Sequence, residues 1–328
     1  PSWLKCRPKL NLLVGQVKMP VSAGDFYETY HGHTVEHLET VHRELRGSGT
    51  SQFVFLAGDS TLDNKHWFFE GFSTKKEQMT KSSTFVADAL NGYERVLSPP
   101  LMVKDVSYWL NHECMQRSVG GQRIACLNCA VEESSILQRE EEGLRPADIF
   151  IRDHITSDDI LVVNVGGNDV ALRPSLGVIL NMAWLLYLTP KACISVGPFM
   201  APGLWYFIHM FSKRIGRYIE QLTAKCKPEQ VIACMLYFLD EKPGGSWADG
   251  TLQKLGYNTD PEKLQSVIRQ VYSWGMMQIK IPGTIVVPLP LYEVLDGKDT
   301  EDYAQRVEPS VQGGQKMAKA MAEKIFAS

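Results

Sequence analysis

The sequence predicts a three-layer α/β/α sandwich around a mostly parallel sheet of five strands. Helical patterns alternate with five short runs that are continuously apolar and rich in β-branched residues, as a sheet covered on both faces requires. These runs cover residues 52–57, 123–128, 160–165, 230–237 and 284–288. The 328 residues, 44% of them apolar, could fill one large domain or two small ones. The alternation favours one doubly wound domain with right-handed crossovers.

The first fifty residues are expected to form an N-terminal extension that packs on a core domain of residues 51–328. Within the extension, residues 34–45 are predicted to form a helix that would bring His33 and His37 to one face. A metal site there is the alternative, but no matching carboxylate or cysteine spacing accompanies these histidines. We therefore expect a solvated helix face.

Two later helices are predicted from local signals. Asp260 offers an N-cap carboxylate directly before Pro261 and Glu262, a combination typical of a helix start. A last helix is expected after the Gly313-Gly314 pair.

Residues 173–212 are predicted to form an apolar helical insertion. Lys191, Pro198 and Pro202 interrupt its apolar runs, so a membrane-spanning helix is not expected. Two alternatives remain open for this segment. It forms crossover helices packed on the sheet, or it forms an apolar wall at the sheet edge, in which residues such as Trp205 contact a lipid acyl chain or a membrane surface.

The charge and cysteine content of the chain indicate which partners and which cellular compartment to expect. The net charge is −3 and no basic run of five residues occurs, so nucleic acid is not an expected partner. The seven cysteines are an odd number, and Cys126 and Cys129 lie in or beside an apolar run, where a reduced cysteine packs as a small hydrophobe. A reducing compartment, hence the cytoplasm, is predicted. No metal or organic cofactor is expected, and the oligomeric state is left open.

Polar motifs follow two of the predicted strands. Gly58-Asp59-Ser60 ends the first, and Gly166-Gly167-Asn168-Asp169 ends the third. Because the carboxyl ends of parallel strands meet at one sheet edge, Ser60 and Asn168 are expected to face a common crevice. A serine nucleophile beside an amide donor indicates acyl transfer, with the amide stabilising the oxyanion. The alternative is that both motifs are ordinary turns.

The two motifs resemble the first and third blocks of the SGNH (GDSL-type) hydrolase superfamily. The resemblance implies a flavodoxin-like fold, Ser60 as the nucleophile, and an oxyanion held by the Ser60 N–H, the Asn168 side chain and a backbone N–H of a second block. That second block resembles the run from Asn128 to Ser135, in which Glu133 occupies the position of the family's glycine. Asp59 and Gly167 flank the same site.

The fifth block of the family usually supplies a histidine base in Asp-x-x-His. Here Glu308 stands where that histidine is expected, and Gln305 occupies the position of the aspartate. No histidine occurs after His209.

Three hypotheses for the base follow. Glu308 itself is the leading candidate, because a desolvated carboxyl can have its pKa raised toward the working range, with Asp302 or Asp299 holding or sharing its proton. A distant histidine, with His66 nearest to Ser60 in sequence, is the second. In the third, the base is absent and the protein binds a lipophilic ligand without turnover. The sequence thus favours an esterase, lipase-like hydrolase or acyltransferase that acts on a lipophilic or small acyl ester through a Ser60 acyl-enzyme.

Overall fold

The computed structural model describes residues 20–69, residue 79 and residues 84–327. The strands of this part of the chain are β1 (Val21–Ser22), β2 (Gln52–Gly58), β3 (Val86–Asp88), β4 (Leu97–Ser98), β5 (Leu101–Val103), β6 (Ile124–Asn128), β7 (Ile160–Asn164), β8 (Gln230–Met235) and β9 (Ile285–Pro290). Strands β1 and β4 form a small parallel pair, and β3 and β5 form a small antiparallel pair.

The central sheet has the strand order β6-β2-β7-β8-β9, and every neighbouring pair is parallel. Its register aligns Leu56 of β2 with Asn128 of β6, and Gly58 of β2 with Asn164 of β7. The loops that follow β2, β6 and β7 therefore leave the sheet at one edge. This edge gathers the two motifs and the second-block segment that the sequence placed after strands.

Helices cover both faces of the sheet. They are α1 (Ala23–Glu28), α2 (Val35–Gly47), α3 (Val106–Arg117), α4 (Ile136–Glu142), α5 (Pro146–His154), α6 (Gly167–Ala171), α7 (Leu176–Ala183), α8 (Lys191–Val196), α9 (Leu204–His209), α10 (Ile215–Leu222), α11 (Asp249–Lys254), α12 (Pro261–Trp274) and α13 (Val311–Ile325). Short 3₁₀ turns occur at Asn64–Phe68, Tyr93–Arg95, Met276–Gln278, Leu291–Glu293 and Thr300–Asp302, and π-helical turns at Trp184–Leu188 and Met210–Arg214.

Alternation along β2 separates two apolar cores. Phe53 and Phe55 belong to the core under α2, α5 and α10, whereas Val54 and Leu56 belong to the core under α3 and α13. Successive strand residues point to opposite faces, so one strand contributes to both cores. The three-layer α/β/α class predicted from the sequence is confirmed, and the five predicted strands agree with the observed ones to within two residues at each end.

The helix predictions are confirmed at two starts and wrong at one. Helix α12 begins at Pro261, and α2 begins directly after its N-cap Thr34. The last helix, however, does not follow Gly313-Gly314 but contains it, because Ser310 caps α13 by accepting a hydrogen bond from the Gly313 N–H. A Cβ on Gly313 would lie 2.1 Å from the Asp302 carbonyl oxygen, so close packing explains this glycine.

The described part of the N-terminal segment is integrated into the core under α2. Phe26 and Tyr27 of α1 are buried there. His33 precedes α2 rather than sharing a face of it with His37. It is buried, stacks on Phe26 at 3.9 Å between ring centroids and bonds the Phe26 carbonyl oxygen through Nδ1. No group of three or more potential metal-ligating side chains occurs among the described residues.

The segment predicted as an apolar insertion packs on the sheet with one face and leaves the other exposed. Buried residues such as Met182, Leu185 and Phe207 join the core. The outer apolar face consists of Leu176, Ile179, Leu180, Trp184, Tyr187, Leu188, Val196, Phe199, Met200 and Trp205, each at least 45% exposed. Within the described ranges, no helix combines the length and apolar character that crossing a bilayer requires.

Candidate active site

The Ser60 hydroxyl donates a hydrogen bond to Glu308, with 3.1 Å between Oγ and Oε1. Ser60 lies two residues beyond β2, and Glu308 precedes the N-cap of α13, so two segments 248 residues apart meet at the sheet edge. Both side chains are buried. The pair that the sequence singled out as nucleophile and leading base is therefore in direct contact.

Two buried side chains fix the backbone around Glu308. Tyr237, just past β8, donates its hydroxyl to the Val307 carbonyl oxygen, and Asn64 donates to the Pro309 carbonyl oxygen at 2.9 Å. Because the carbonyls on both sides of Glu308 are held, its carboxyl is aimed at Ser60 by the main chain. Neither positioning residue was predicted, since a lone tyrosine after a strand and an asparagine in a turn have no distinctive pattern.

Burial governs the electrostatics of Glu308. Desolvation raises the pKa of its carboxyl well above the ordinary range, and the nearby Asp59 carboxylate acts in the same direction. The Ser60 hydrogen bond opposes the shift, because it favours the charged form. Among the described residues no donor contacts Glu308 Oε2, so one oxygen of the carboxyl has no protein partner. Glu308 is thus a carboxyl that readily accepts a proton.

Asp59 is a second buried carboxyl at the site. Burial raises the pKa of Asp59 to about 6, and the Thr61 backbone N–H, which donates to Oδ1, opposes this shift. The Gly167 backbone passes close enough that a Cβ there would lie 3.9 Å from Asp59 Oδ2. Both residues line the crevice beside Ser60, as the sequence predicted for the flanks of the two motifs.

Asn168 lies at the start of α6 and lines the crevice with Ser60 and Glu308. Its Nδ2 donates one hydrogen bond to the Ser134 carbonyl oxygen at 3.1 Å. An amide nitrogen carries two hydrogens, so a second donor is left for a ligand. Asp169 beside it accepts hydrogen bonds from the Ile136 and Leu137 N–H groups, which ties the third block to the second.

Glu133 adopts the backbone conformation that the family's glycine would favour. Its φ is +59°, in the left-handed region that residues other than glycine rarely occupy. The Glu133 carboxylate accepts a hydrogen bond from Tyr30 Oη at 3.0 Å, and it forms an ion pair with Arg173 at 3.6 Å. These two contacts hold the Glu133 side chain at the edge of the crevice.

Asn128 has a structural role in this loop. Its Nδ2 donates to the Leu62 carbonyl oxygen, and its Oδ1 accepts from the Ala130 N–H. These bonds tie the end of β6 to the turn after Ser60. Asn128 therefore supports the loops that carry the site, but its side chain does not line the crevice.

Three further predicted residues lie elsewhere. The Asp302 carboxylate accepts hydrogen bonds from Lys316 and Gln312 of α13. The His66 ring packs edge-on against Tyr30 and Trp67. Trp205 lies on the outer apolar face, edge-on to Phe199. None of the three lines the crevice at Ser60.

An apolar cavity extends from Ser60 beneath the helices. It measures about 1020 Å³, part of it open to solvent. Helices α7, α9, α11 and α12 supply its wall, which includes Met182, Phe207, Leu252, Leu264, Val267, Ile268 and Val271. The insertion therefore packs on the sheet and also contributes Met182 and Phe207 to the cavity wall, and its contact with a lipid acyl chain stays a prediction. Sequence periodicity marked α12 as apolar but not as the lining of a cavity.

No family model and no curated protein matches this chain. Similar solved structures include an acetylxylan esterase from Geobacillus stearothermophilus, with 14% identity, a TM-score of 0.39 and coverage of 85% of this chain and 95% of that one. An extracellular lipase from Streptomyces rimosus has 13% identity, a TM-score of 0.39 and coverage of 83% and 98%. A protein described as a GDSL-like lipase from Parabacteroides merdae has 13% identity, a TM-score of 0.41 and coverage of 85% and 96%.

Proposed function

We propose that this chain is a serine-dependent ester hydrolase of the SGNH type, with Glu308 as the general base in place of histidine. The observation that supports this most directly is the hydrogen bond from Ser60 Oγ to Glu308 Oε1 in a buried crevice. A nucleophile within hydrogen-bond reach of a carboxyl whose pKa is raised has the geometry and the basicity that acyl transfer needs.

Acylation begins when Glu308, as the carboxylate, takes the Ser60 hydroxyl proton while Oγ bonds the ester carbonyl carbon. The carbonyl electron pair moves to oxygen, and the Asn168 amide together with the Ser60 and Glu133 backbone N–H groups would donate to that oxyanion. Collapse of the intermediate breaks the bond to the alcohol oxygen, which takes the proton from Glu308. The products of this half-reaction are a free alcohol and acyl-Ser60.

Deacylation repeats these steps with water. Glu308 takes a proton from water as its oxygen attacks the acyl carbon, and the second intermediate expels Ser60 Oγ, which recovers the proton from Glu308. An alcohol in place of water would make the protein an acyltransferase. The apolar cavity beside Ser60 suits the acyl part of the ester, because its wall is built from apolar side chains.

The first experiment is covalent labelling with a fluorophosphonate probe, combined with hydrolysis of p-nitrophenyl esters of increasing acyl length. We expect labelling and turnover in the wild type and neither in Ser60→Ala. The matched control is Ser157→Ala, which removes an exposed hydroxyl bonded to Asp158 away from the site and should leave both signals unchanged. Binding of long-chain esters without Ser60-dependent labelling or turnover would refute the hydrolase and favour a non-catalytic lipophilic binding protein.

A further inference from the structure

A second cavity shares Ser60, Asn168, Trp247 and Glu308 with the apolar cavity, but the rest of its wall is different. It measures about 370 Å³, part of it open to solvent. We call it the headgroup pocket; the residues that line it alone are Tyr30, Trp67, Glu132, Glu133 and Leu172. An ester held at Ser60 has two parts, and the two cavities offer one compartment for each.

Carboxyl groups line much of the headgroup pocket. Three carboxyl groups line it, from Glu132, Glu133 and Glu308, and all three act on the Tyr30 hydroxyl. Burial first and then these carboxylates raise the pKa of Tyr30. Arg173, about half exposed, offsets one of the charges through its ion pair with Glu133. A phosphate or carboxylate headgroup would meet net repulsion here.

Aromatic rings form the other half of the pocket. Trp67 and Trp247 stack with 6.0 Å between ring centroids and 21° between planes, and Tyr30 stands beside them in the lining. The faces of such rings attract cations, most strongly when the cation is partly desolvated. Glu308 is a second observation that points to a ligand. The residue is only 5% exposed, yet its Oε2 accepts no hydrogen bond from the described residues.

We infer that the headgroup pocket binds a positively charged alcohol part of the ester, of the quaternary ammonium class, while the acyl chain lies in the apolar cavity. This inference rests on the proposed esterase function and names its substrate class. Aromatic faces and carboxylates together are what an ammonium that cannot donate hydrogen bonds requires. The three carboxyls disfavour an anionic headgroup, and a neutral headgroup would gain none of the charge attraction that a cation gains from them.

A cation in the headgroup pocket would also take part in the chemistry. A positive charge next to Glu308 favours its carboxylate form, which is the form that can accept the Ser60 proton. The apparent pKa that limits kcat should therefore be lower for a cationic ester than for a neutral ester of the same shape. A pocket that recognises only the shape of the substrate would give the same apparent pKa for both esters.

The test compares butyrylcholine with its neutral carbon isostere, in which a tert-butyl group replaces the trimethylammonium group. We expect kcat/KM to be higher for the cationic ester by about tenfold or more, a preference that weakens as salt is added. In Trp247→Leu and in Glu133→Gln the ratio of the two kcat/KM values should fall toward one. Trp274→Leu is the matched control, since it removes a similarly exposed tryptophan outside both cavities and should leave the ratio as in the wild type.

Two results would overturn the inference, and they differ in what they mean for the esterase. Equal kcat/KM values for the two esters would refute the cationic headgroup while the hydrolase stands. If neither ester is hydrolysed, the proposed function fails for these substrates. Quenching of tryptophan fluorescence by choline then shows whether the headgroup pocket binds a cation. Quenching that is lost in Trp247→Leu but not in Trp274→Leu would support the cation site, and its absence in the wild type would refute it.

Discussion

Replacing Glu308 by glutamine removes the proposed base and little else. Glutamine has nearly the same volume, and its carbonyl oxygen can still accept the Ser60 hydrogen bond that Glu308 Oε1 accepts at 3.1 Å. A general base typically contributes about 10²–10⁴ in rate. That loss corresponds to about 3–5 kcal/mol in the activation barrier. Burial raises the pKa of the Glu308 carboxyl, so its ionisation on unfolding opposes folding at neutral pH. Glutamine removes this cost, and the free energy of unfolding should therefore stay the same or rise in Glu308→Gln.

The assay is kcat/KM for a p-nitrophenyl ester from acid to alkaline pH in Glu308→Gln, His66→Ala and the wild type, with urea unfolding as the measure of folding. The wild-type rate should fall on acidification, since Glu308 must be deprotonated to act and its folded pKa is raised. Loss of about 10²-fold or more is expected in Glu308→Gln, and a change of less than about twofold in His66→Ala. The assignment of the base is refuted if Glu308→Gln keeps more than a tenth of the wild-type rate, or if His66→Ala is the inactive variant.

Three other predictions concern the charge, the cavity and the buried ion pair near the site. Asp59→Asn removes a negative charge that raises the Glu308 pKa, so the acid limb of the pH–rate profile should move to lower pH; a profile that stays in place contradicts this coupling. Val271→Trp fills part of the apolar cavity and should shift the preferred p-nitrophenyl ester to shorter acyl chains, whereas the exposed Val196→Trp should not. Lys65→Met leaves the buried Asp63 carboxylate without its ion pair and should cost about 3–5 kcal/mol in urea unfolding, against less than about 1 kcal/mol for Lys191→Met in an exposed pair.

The sheet and the nucleophile could be predicted because each leaves a local mark in the sequence. A strand buried on both faces is a short apolar run, and the five runs locate the central sheet. Parallel strands share one carboxyl edge, so motifs after β2 and β7 could be expected to meet. The contact between Ser60 and Glu308 joins residues 248 apart, and only the resemblance to a five-block family suggested it.

The remainder of the site depends on what lies opposite each residue, which periodicity does not reveal. Val267 and Val271 are at core-facing positions of α12 whether that face meets side chains or a cavity. In the sequence, Asp302 is a plausible partner for a catalytic base. In the folded chain it forms an ion pair with Lys316 of α13 instead, and the two residues meet only because α13 packs against this segment. Trp67 and Trp247 are 180 positions apart, and no local pattern indicates that their rings stack. The cytoplasmic location and contact with a membrane surface stay predictions.

A glutamate base changes the charge balance of the Ser60–Glu308 pair. A histidine base becomes a cation as the oxyanion forms, so the transition state contains two opposite charges that attract each other. With Glu308 the site begins with one negative charge and ends with one, which has moved from the carboxylate to the former carbonyl oxygen. Asp59 disfavours the charge while it is on Glu308, and the Asn168 amide, which lines the same crevice, would donate to the oxygen that receives it. In the proposed mechanism, catalysis is therefore the relocation of a single negative charge from Glu308 to the substrate oxygen rather than the creation of two opposite charges.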